Sequence, residues 1–102
     1  MADIAAANAA FVDEDYDTAL ASYSAAITAD PQNGDAFSKR AETYLRLKRF
    51  TEAVSDATAA TKLLPASSKA HARKGRAAFA LGEFEAARAA FGKALEAGDA
   101  ND

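Results

Sequence analysis

Three basic side chains of the segment SKAHARKGR are spaced so that they share one face of a helix. Lys69, Arg73 and Arg76 lie at positions i, i+4 and i+7, and residues at such spacings are neighbours on a helix surface. This face can bind a carboxylate, because an Arg guanidinium grips it through two parallel hydrogen bonds and a Lys adds a point charge. The alternative is a solvated face that binds nothing, since charged side chains are mostly exposed.

Charge is distributed unevenly along the chain. The whole sequence is acidic, with 15 Asp and Glu residues, 12 Lys and Arg residues and a net charge of −3. Residues 1–33 carry −6, whereas residues 34–67 carry +2 and residues 68–102 carry +1. We expect no nucleic-acid partner, because nucleic acid selects strongly basic domains. The opposite charges of the two ends favour head-to-tail contact between copies, so a homodimer is one expected assembly.

Residues that could perform acid–base, nucleophilic or metal chemistry are few. The chain has no Cys and a single His, His71, which we expect to pack between helices. The acidic run DEDYD at 13–17 could perform acid–base chemistry or bind Ca²⁺ through its oxygens. It lacks the Gly and the terminal Glu of an EF-hand loop, so we interpret it as an exposed turn. No phosphate-binding loop or nucleophile–base pair is present, and we expect no enzymatic activity, no metal and no cofactor.

The sequence also indicates the cellular compartment in which the protein is located. No apolar run approaches the roughly 18 residues of a membrane-spanning helix. The first residues, MADIAAANAAFV, contain Asp3 and lack the basic region of a signal peptide. The absence of Cys suits a reducing environment. We therefore expect a cytoplasmic protein, with the nucleus as an additional location, and no membrane partner.

An internal repeat organises the elements that would position the basic face, and its period is about 34 residues. The repeated columns are Tyr16, Phe50 and Phe84, then Ala19, Ala53 and Ala87, and then Ala26, Ala60 and Ala94. Each copy predicts two antiparallel helices, over 2–13 and 16–29, 35–48 and 51–64, and 69–81 and 84–97. We expect the aromatic column to lie in the core. A helix pair cannot bury its apolar face alone, so the copies 1–33, 34–67 and 68–102 are predicted to stack as one all-α domain.

This period and these columns resemble the tetratricopeptide repeat, over nearly the whole chain. The resemblance implies a right-handed helical solenoid of three repeats and six helices, whose first helices line a concave face. It places the basic residues on that face, together with Asn8 and Lys39. Other residues of the same face are Ile4, Phe11, Glu42, Leu45, Arg46 and Phe79. We expect Phe11, Leu45 and Phe79 to form an apolar floor.

Some tetratricopeptide co-chaperones hold the C-terminal tails of the 70- and 90-kDa heat-shock chaperones in a clamp for two carboxylates. The positions that match this clamp are Ile4, Asn8, Lys39, Lys69 and Arg73. Ile4 lacks the charge of the family's Lys, and Lys39 replaces an Asn. Loss of one charged hydrogen bond costs roughly 1.5–3 kcal/mol. We therefore expect a clamp weakened about tenfold to a hundredfold, unless Lys39 compensates.

The segments FVDEDYDTALASYSAAITADP, FTEAVSDATAA and KAHARKG resemble the N-terminal repeat domain of the suppressor-of-G-two-allele-of-Skp-one family. Its members are adaptors in ubiquitin-ligase assembly, in work with the 90-kDa chaperone and in the stability of plant immune receptors. The resemblance implies that the chain is part of a longer protein, self-associates and contacts a Skp-type ligase subunit. Exposed apolar residues Leu81, Phe91 and Leu95 on the last repeat would favour self-association.

Three functional hypotheses follow from these patterns. The first is a non-enzymatic protein-binding module of a co-chaperone or ubiquitin-ligase adaptor. The second is a clamp for the acidic tail of a heat-shock chaperone, formed by Asn8, Lys39, Lys69, Arg73 and Arg76. The third is a targeting appendage of an enzyme such as a prolyl isomerase or a phosphatase.

Overall fold

A computed structural model describes residues 4–97 of the chain. Six helices and no strands are present in this range: α1 (Ala5–Val12), α2 (Tyr16–Ala29), α3 (Gly34–Arg46), α4 (Phe50–Leu63), α5 (Ser68–Ala80) and α6 (Phe84–Ala97). The six predicted helices are confirmed, with boundaries within two residues of those predicted. The exception is α1, whose predicted start at residue 2 lies outside the described residues. None of these helices is long and apolar enough to cross a membrane.

The helices stack in chain order. Each helix contacts the next, and α3 also contacts α5, so the first helices of the second and third repeats lie side by side. The first helices α1 and α3 meet through the guanidinium of Arg46 over the ring of Phe11. The fold is the predicted all-α, right-handed solenoid. This arrangement gathers side chains from α1, α3 and α5 on one concave face.

Small side chains allow this close stacking. The alanines of the two repeated columns are at most 2% exposed in the first two repeats and at Ala87, whereas Ala94 is only half-buried. Ala94 differs because no helix of the described range packs beyond α6. Burying so many methyl groups without large side chains brings helix backbones close together, and this fixes the spacing of α1, α3 and α5.

The aromatic column is only partly in the core. Tyr16 is half-buried and meets Phe11 with ring centroids 5.5 Å apart, and Phe50 packs against the core cluster of α3, α4 and α5. Phe84 is 60% exposed and contacts Phe79 at 5.2 Å. The prediction that the whole column is buried is therefore wrong for Phe84. The rings of Tyr16 and Phe50 are partly covered by the following repeat, and no described repeat follows Phe84.

The turns inside the three helix pairs share one backbone geometry. Glu14, Lys48 and Gly82, which occupy equivalent positions of the three repeats, have φ values of 61°, 60° and 80°. The amide after each of them donates to a carbonyl five residues earlier at 2.9 Å, as in a Schellman motif. Glycine adopts this left-handed conformation without steric cost, and only the third repeat has it there.

Side-chain caps begin the first helices of the second and third repeats. Asn33 and Ser67 each accept a hydrogen bond from a backbone amide three residues later, at 3.1 Å. Asn33 and Gly34, between the first two repeats, are thus the cap and the first residue of α3. His71, one turn into α5, is 7% exposed and its Nε2 lies 2.9 Å from the carbonyl oxygen of Pro65. The predicted packing role of this histidine is confirmed.

A buried ion pair joins three successive helices. Arg40 of α3 donates from Nε and Nη2 to the carboxylate of Asp56 on α4, at 2.6 and 2.8 Å. Its Nη1 donates to Ser24 of α2 at 3.0 Å. The side chains of Arg40 and Asp56 are 19% and 7% exposed, so this pair links the first two repeats from within.

Candidate peptide-binding groove

A cavity of about 190 Å³ opens on the concave face between α1, α2, α3 and α5. Its lining residues are Asn8, Phe11, Val12, Tyr23, Lys39, Glu42 and Arg73. A water molecule takes about 30 Å³ of liquid volume, so this space can admit a carboxylate or one side chain of a ligand. The set combines an amide, two cations, one carboxylate and an apolar wall.

Asn8 is oriented by a buried tyrosine. The hydroxyl of Tyr23, which is 1% exposed, donates to Oδ1 of Asn8. Burial raises the pKa of Tyr23 and the charge of Arg73 offsets this only in part, so the phenol keeps its proton. Because the amide oxygen is engaged, the nitrogen of Asn8 is the group that can donate to a ligand.

Arg73 is held in place by two contacts with α3. Its Nη1 donates to Oγ of Ser38 at 2.6 Å, and its Nε donates to Oε1 of Glu42 at 3.2 Å. The side chain is 18% exposed. These contacts fix the guanidinium at the cavity wall, and they leave both Nη2 hydrogens and the second Nη1 hydrogen unused.

Glu42 is the centre of an ion-pair cluster that also includes Arg46 and Arg76. Arg76 donates to both of its oxygens, from Nη1 at 2.8 Å and from Nη2 at 3.4 Å. Arg46 donates from Nε to Oε2 at 3.0 Å. Burial alone would raise the pKa of Glu42, but hydrogen bonds from Arg46, Arg76 and Arg73 outweigh it and hold the pKa below its ordinary value. Glu42 is therefore ionised at neutral pH.

The predicted site residues are only partly brought together. Asn8, Lys39 and Arg73 line one cavity, while Arg76 stands beside it and reaches it through Glu42. Lys69 lies one helical turn before Arg73 on α5, is exposed, and does not line the cavity. The arrangement has an excess of positive charge, since several cations gather around one carboxylate.

The predicted apolar floor is mostly absent from the cavity. Phe11 lines it and is covered on one side by the guanidinium of Arg46, 5.3 Å from the ring centre. Leu45 is 8% exposed and packs in the core against α4 and α5. Phe79 is 61% exposed and lies outside the cavity. The floor prediction is wrong for Leu45, because its side chain turns into the solenoid.

At the first clamp position the side chain of Ile4 lies in the core. It packs against the buried cluster of Ala7, Ala19 and Tyr23, so it belongs to the apolar core of the first repeat. No charged group is therefore supplied from the position that precedes α1.

The contacts of Glu42 are a feature that the sequence pattern did not reveal. Glu42 and Arg76 occupy equivalent positions of successive repeats and carry opposite charges. Equivalent positions on adjacent first helices are neighbours in the solenoid. The opposite charges at these two equivalent positions were the sequence feature from which the Glu42–Arg76 ion pair could have been predicted.

Metal chemistry has no support among the residues described. Between positions 4 and 97 no group of three or more His, Asp or Glu side chains could hold a metal ion. The acidic residues of the segment 13–17 are exposed, as expected, but only Asp13 and Glu14 lie in the turn. Asp15 caps α2 by accepting a hydrogen bond from the amide of Thr18, and Asp17 lies in the first turn of that helix. What the cavity offers is hydrogen bonding and charge for a bound anion.

The family model described as tetratricopeptide repeat matches the chain twice, over residues 4–68 and 39–102. Domains of this kind are protein-interaction modules. The Protein SGT1 homolog of Oryza sativa subsp. japonica is 41% identical over 95 residues, covering 91% of this chain. The chain spans about a quarter (26%) of the length of that protein.

Two similar solved structures contain chaperone peptides. The first TPR of Spaghetti (RPAP3), bound to the HSP90 peptide SRMEEVD, is 37% identical with a TM-score of 0.88, covering 90% of this chain and 73% of its own. The second TPR domain of human RPAP3, in complex with the HSP70 peptide SGPTIEEVD, is 33% identical with a TM-score of 0.87, covering 92% and 80%. Both peptides end in the acidic sequence EEVD.

Proposed function

The chain belongs to the tetratricopeptide repeat family, and from this premise we propose that it binds the acidic C-terminal tail of a heat-shock chaperone. The observation that carries the proposal is the convergence of Asn8, Lys39 and Arg73 on one cavity of the concave face. Two structures of similar fold and sequence hold EEVD peptides, which supports a chaperone tail over the ligase-adaptor hypothesis. The proposed activity is non-enzymatic binding.

The chemistry of the tail fits these groups. A C-terminal Asp presents two carboxylates, one from the side chain and one from the chain end. Lys39 supplies a flexible ammonium to one of them, and Arg73 supplies the donors that its contacts with α3 leave unused. The nitrogen of Asn8 donates a third hydrogen bond. The Val that precedes this Asp in the tail can pack on the exposed side chain of Val12, which lies beside Phe11.

Fluorescence polarisation tests this function. A labelled peptide ending Glu-Glu-Val-Asp is titrated with the protein, beside a twin whose C-terminus is amidated. We expect micromolar binding that weakens about tenfold to a hundredfold for the twin and for Arg73→Ala, since each change removes a charged hydrogen bond. Arg88→Ala, which removes an exposed charge on α6, is the matched control and should bind like the wild type. No binding by the wild type at high concentration would refute the proposal.

A second function, self-association within an adaptor, is favoured by a separate surface. Large apolar side chains are exposed at the end of the solenoid: Phe79 at 61%, Leu81 at 41%, Phe84 at 60%, Phe91 at 37% and Leu95 at 84%. Large exposed apolar patches are typical of interaction sites, and two of these rings, Phe79 and Phe84, are in contact. The similarity to the rice SGT1 homolog supports the same hypothesis, with a Skp-type ligase subunit as a further proposed partner.

Sedimentation velocity at several protein concentrations tests self-association. We expect a concentration-dependent dimer that Leu95→Lys weakens, because this change places a charge in the apolar surface. Lys93→Ala, also exposed on α6, is the control. A monomer at the highest concentration and at low salt would exclude this second function.

A further inference from the structure

We propose that Glu42 acts as a built-in competitor of the ligand, because its carboxylate occupies guanidinium donors of Arg73 and Arg76 that a bound carboxylate would otherwise take. This inference rests on the proposed binding of acidic tails in the groove. It assigns Glu42 a role in setting affinity, which goes beyond the cations that hold the ligand.

The donor geometry supports this role. The fork of Arg76 is directed at Glu42, since Nη1 and Nη2 reach its two oxygens at 2.8 and 3.4 Å. Arg73 gives its Nε to the same carboxylate at 3.2 Å. Bidentate arginine–carboxylate pairing is the contact that an acidic peptide would seek. In this groove a side chain of the protein already makes it.

The position of Glu42 makes the competition direct. The column that contains it runs Asn8, Glu42 and Arg76 at steps of one repeat, across three adjacent first helices. Glu42 therefore stands between the amide and the cation, and it lines the cavity itself. A ligand carboxylate entering there meets a like charge within the wall, in addition to the cations that attract it.

Because Glu42 is buried, water screens the repulsion between its carboxylate and a ligand carboxylate only weakly. The side chain of Glu42 is 9% exposed, whereas exposed ion pairs are screened by water and salt and contribute little. Since Arg46, the third arginine of the cluster, adds a fourth hydrogen bond at 3.0 Å, the carboxylate stays ionised and fixed. Removal of one buried like charge near the ligand should raise affinity on the order of tenfold.

The test compares the wild type with Glu42→Gln in the peptide titration. Glu52→Gln is the matched control, because it neutralises an exposed carboxylate that pairs with Arg49 on α4. We expect Glu42→Gln to bind the EEVD peptide about tenfold more tightly and the control to stay within about twofold of the wild type. Circular dichroism confirms that each variant is folded. If Glu42→Gln does not fold, the double variant Glu42→Gln/Arg46→Gln is compared with Arg46→Gln, and the same tenfold gain is expected.

An anion probe separates this inference from the proposed function. Sulfate should raise the melting temperature of Glu42→Gln more than that of the wild type at equal ionic strength, because the vacated arginines form an anion site. Peptide binding that is unchanged or weaker in Glu42→Gln overturns the inference and leaves the proposed function standing. If neither protein binds the peptide, the proposed function fails, and equal sulfate effects on the two proteins then overturn the inference as well. Tight binding by Glu42→Gln with no binding by the wild type refutes the proposed function for the natural chain and supports the inference in its strongest form, because Glu42 then blocks the groove.

Discussion

Cutting the Arg40–Asp56 ion pair should destabilise the protein more than any exposed charge change. The side chain of Arg40 is 19% exposed, and Asp56→Ala removes the carboxylate that accepts its Nε and Nη2 hydrogen bonds. Breaking a buried pair on one side costs about 3–5 kcal/mol, because a buried charge is left uncompensated. A domain of this size has a total stability of about 5–15 kcal/mol, so the loss is a large fraction of it.

Urea unfolding followed by circular dichroism measures this loss. The matched comparison is Glu52→Ala, which breaks the exposed Arg49–Glu52 pair and should cost at most about 1 kcal/mol. The double variant Arg40→Met/Asp56→Leu should be more stable than Asp56→Ala, since no buried charge remains unpaired. Equal losses for Asp56→Ala and Glu52→Ala would show that burial adds nothing to the Arg40–Asp56 pair.

Three further predictions concern single positions. Gly82→Ala should destabilise the protein by about 1–2 kcal/mol, because φ is +80° there. Gly92→Ala should stabilise it by about 0.5–1 kcal/mol, because a Cβ at this position of α6 meets nothing within 4 Å. Urea midpoints of the two variants that shift in the same direction would contradict this pair of predictions. Ser67→Ala should cost about 1 kcal/mol in thermal unfolding through loss of the α5 cap, and an unchanged midpoint would show that the cap contributes nothing. The stabilisation from Glu42, whose pKa is lowered in the folded state, should be complete above its ordinary pKa of 4.5 and lost as the pH falls below that value. The free energy of unfolding of Glu42→Gln should therefore depend less on pH below 4.5 than that of the wild type. Identical pH profiles of the two proteins would argue against the ion-pair cluster.

The helices were predictable because the repeat constrains them three times over. Alanine columns and turn positions recur at steps of one repeat, so each copy corrects the boundaries of the others. The same logic fails at the end of the array, where Phe84 occupies a core column and is 60% exposed. A column predicts burial only where a following repeat supplies the cover.

The groove was predictable in outline from equivalent positions on the first helices. Asn8, Lys39 and Arg73 meet at one cavity, whereas Lys69 and Leu45 do not line it. Which cation pairs with which carboxylate depends on side-chain conformations, and the sequence does not encode these in a simple spacing. For the cluster around Glu42, the repeat spacing could have indicated the pair with Arg76, whereas the contact with Arg73 emerged only from the structure.

The most direct test of the central claim is a ¹H–¹⁵N NMR titration of the protein with an EEVD peptide. We expect amide shifts to concentrate at Asn8, Lys39 and Arg73 and to spread to Glu42, while Arg88 on α6 stays unchanged. Shifts confined to the apolar end at α6, or none at millimolar peptide, would contradict the assignment of the concave cavity as the binding site.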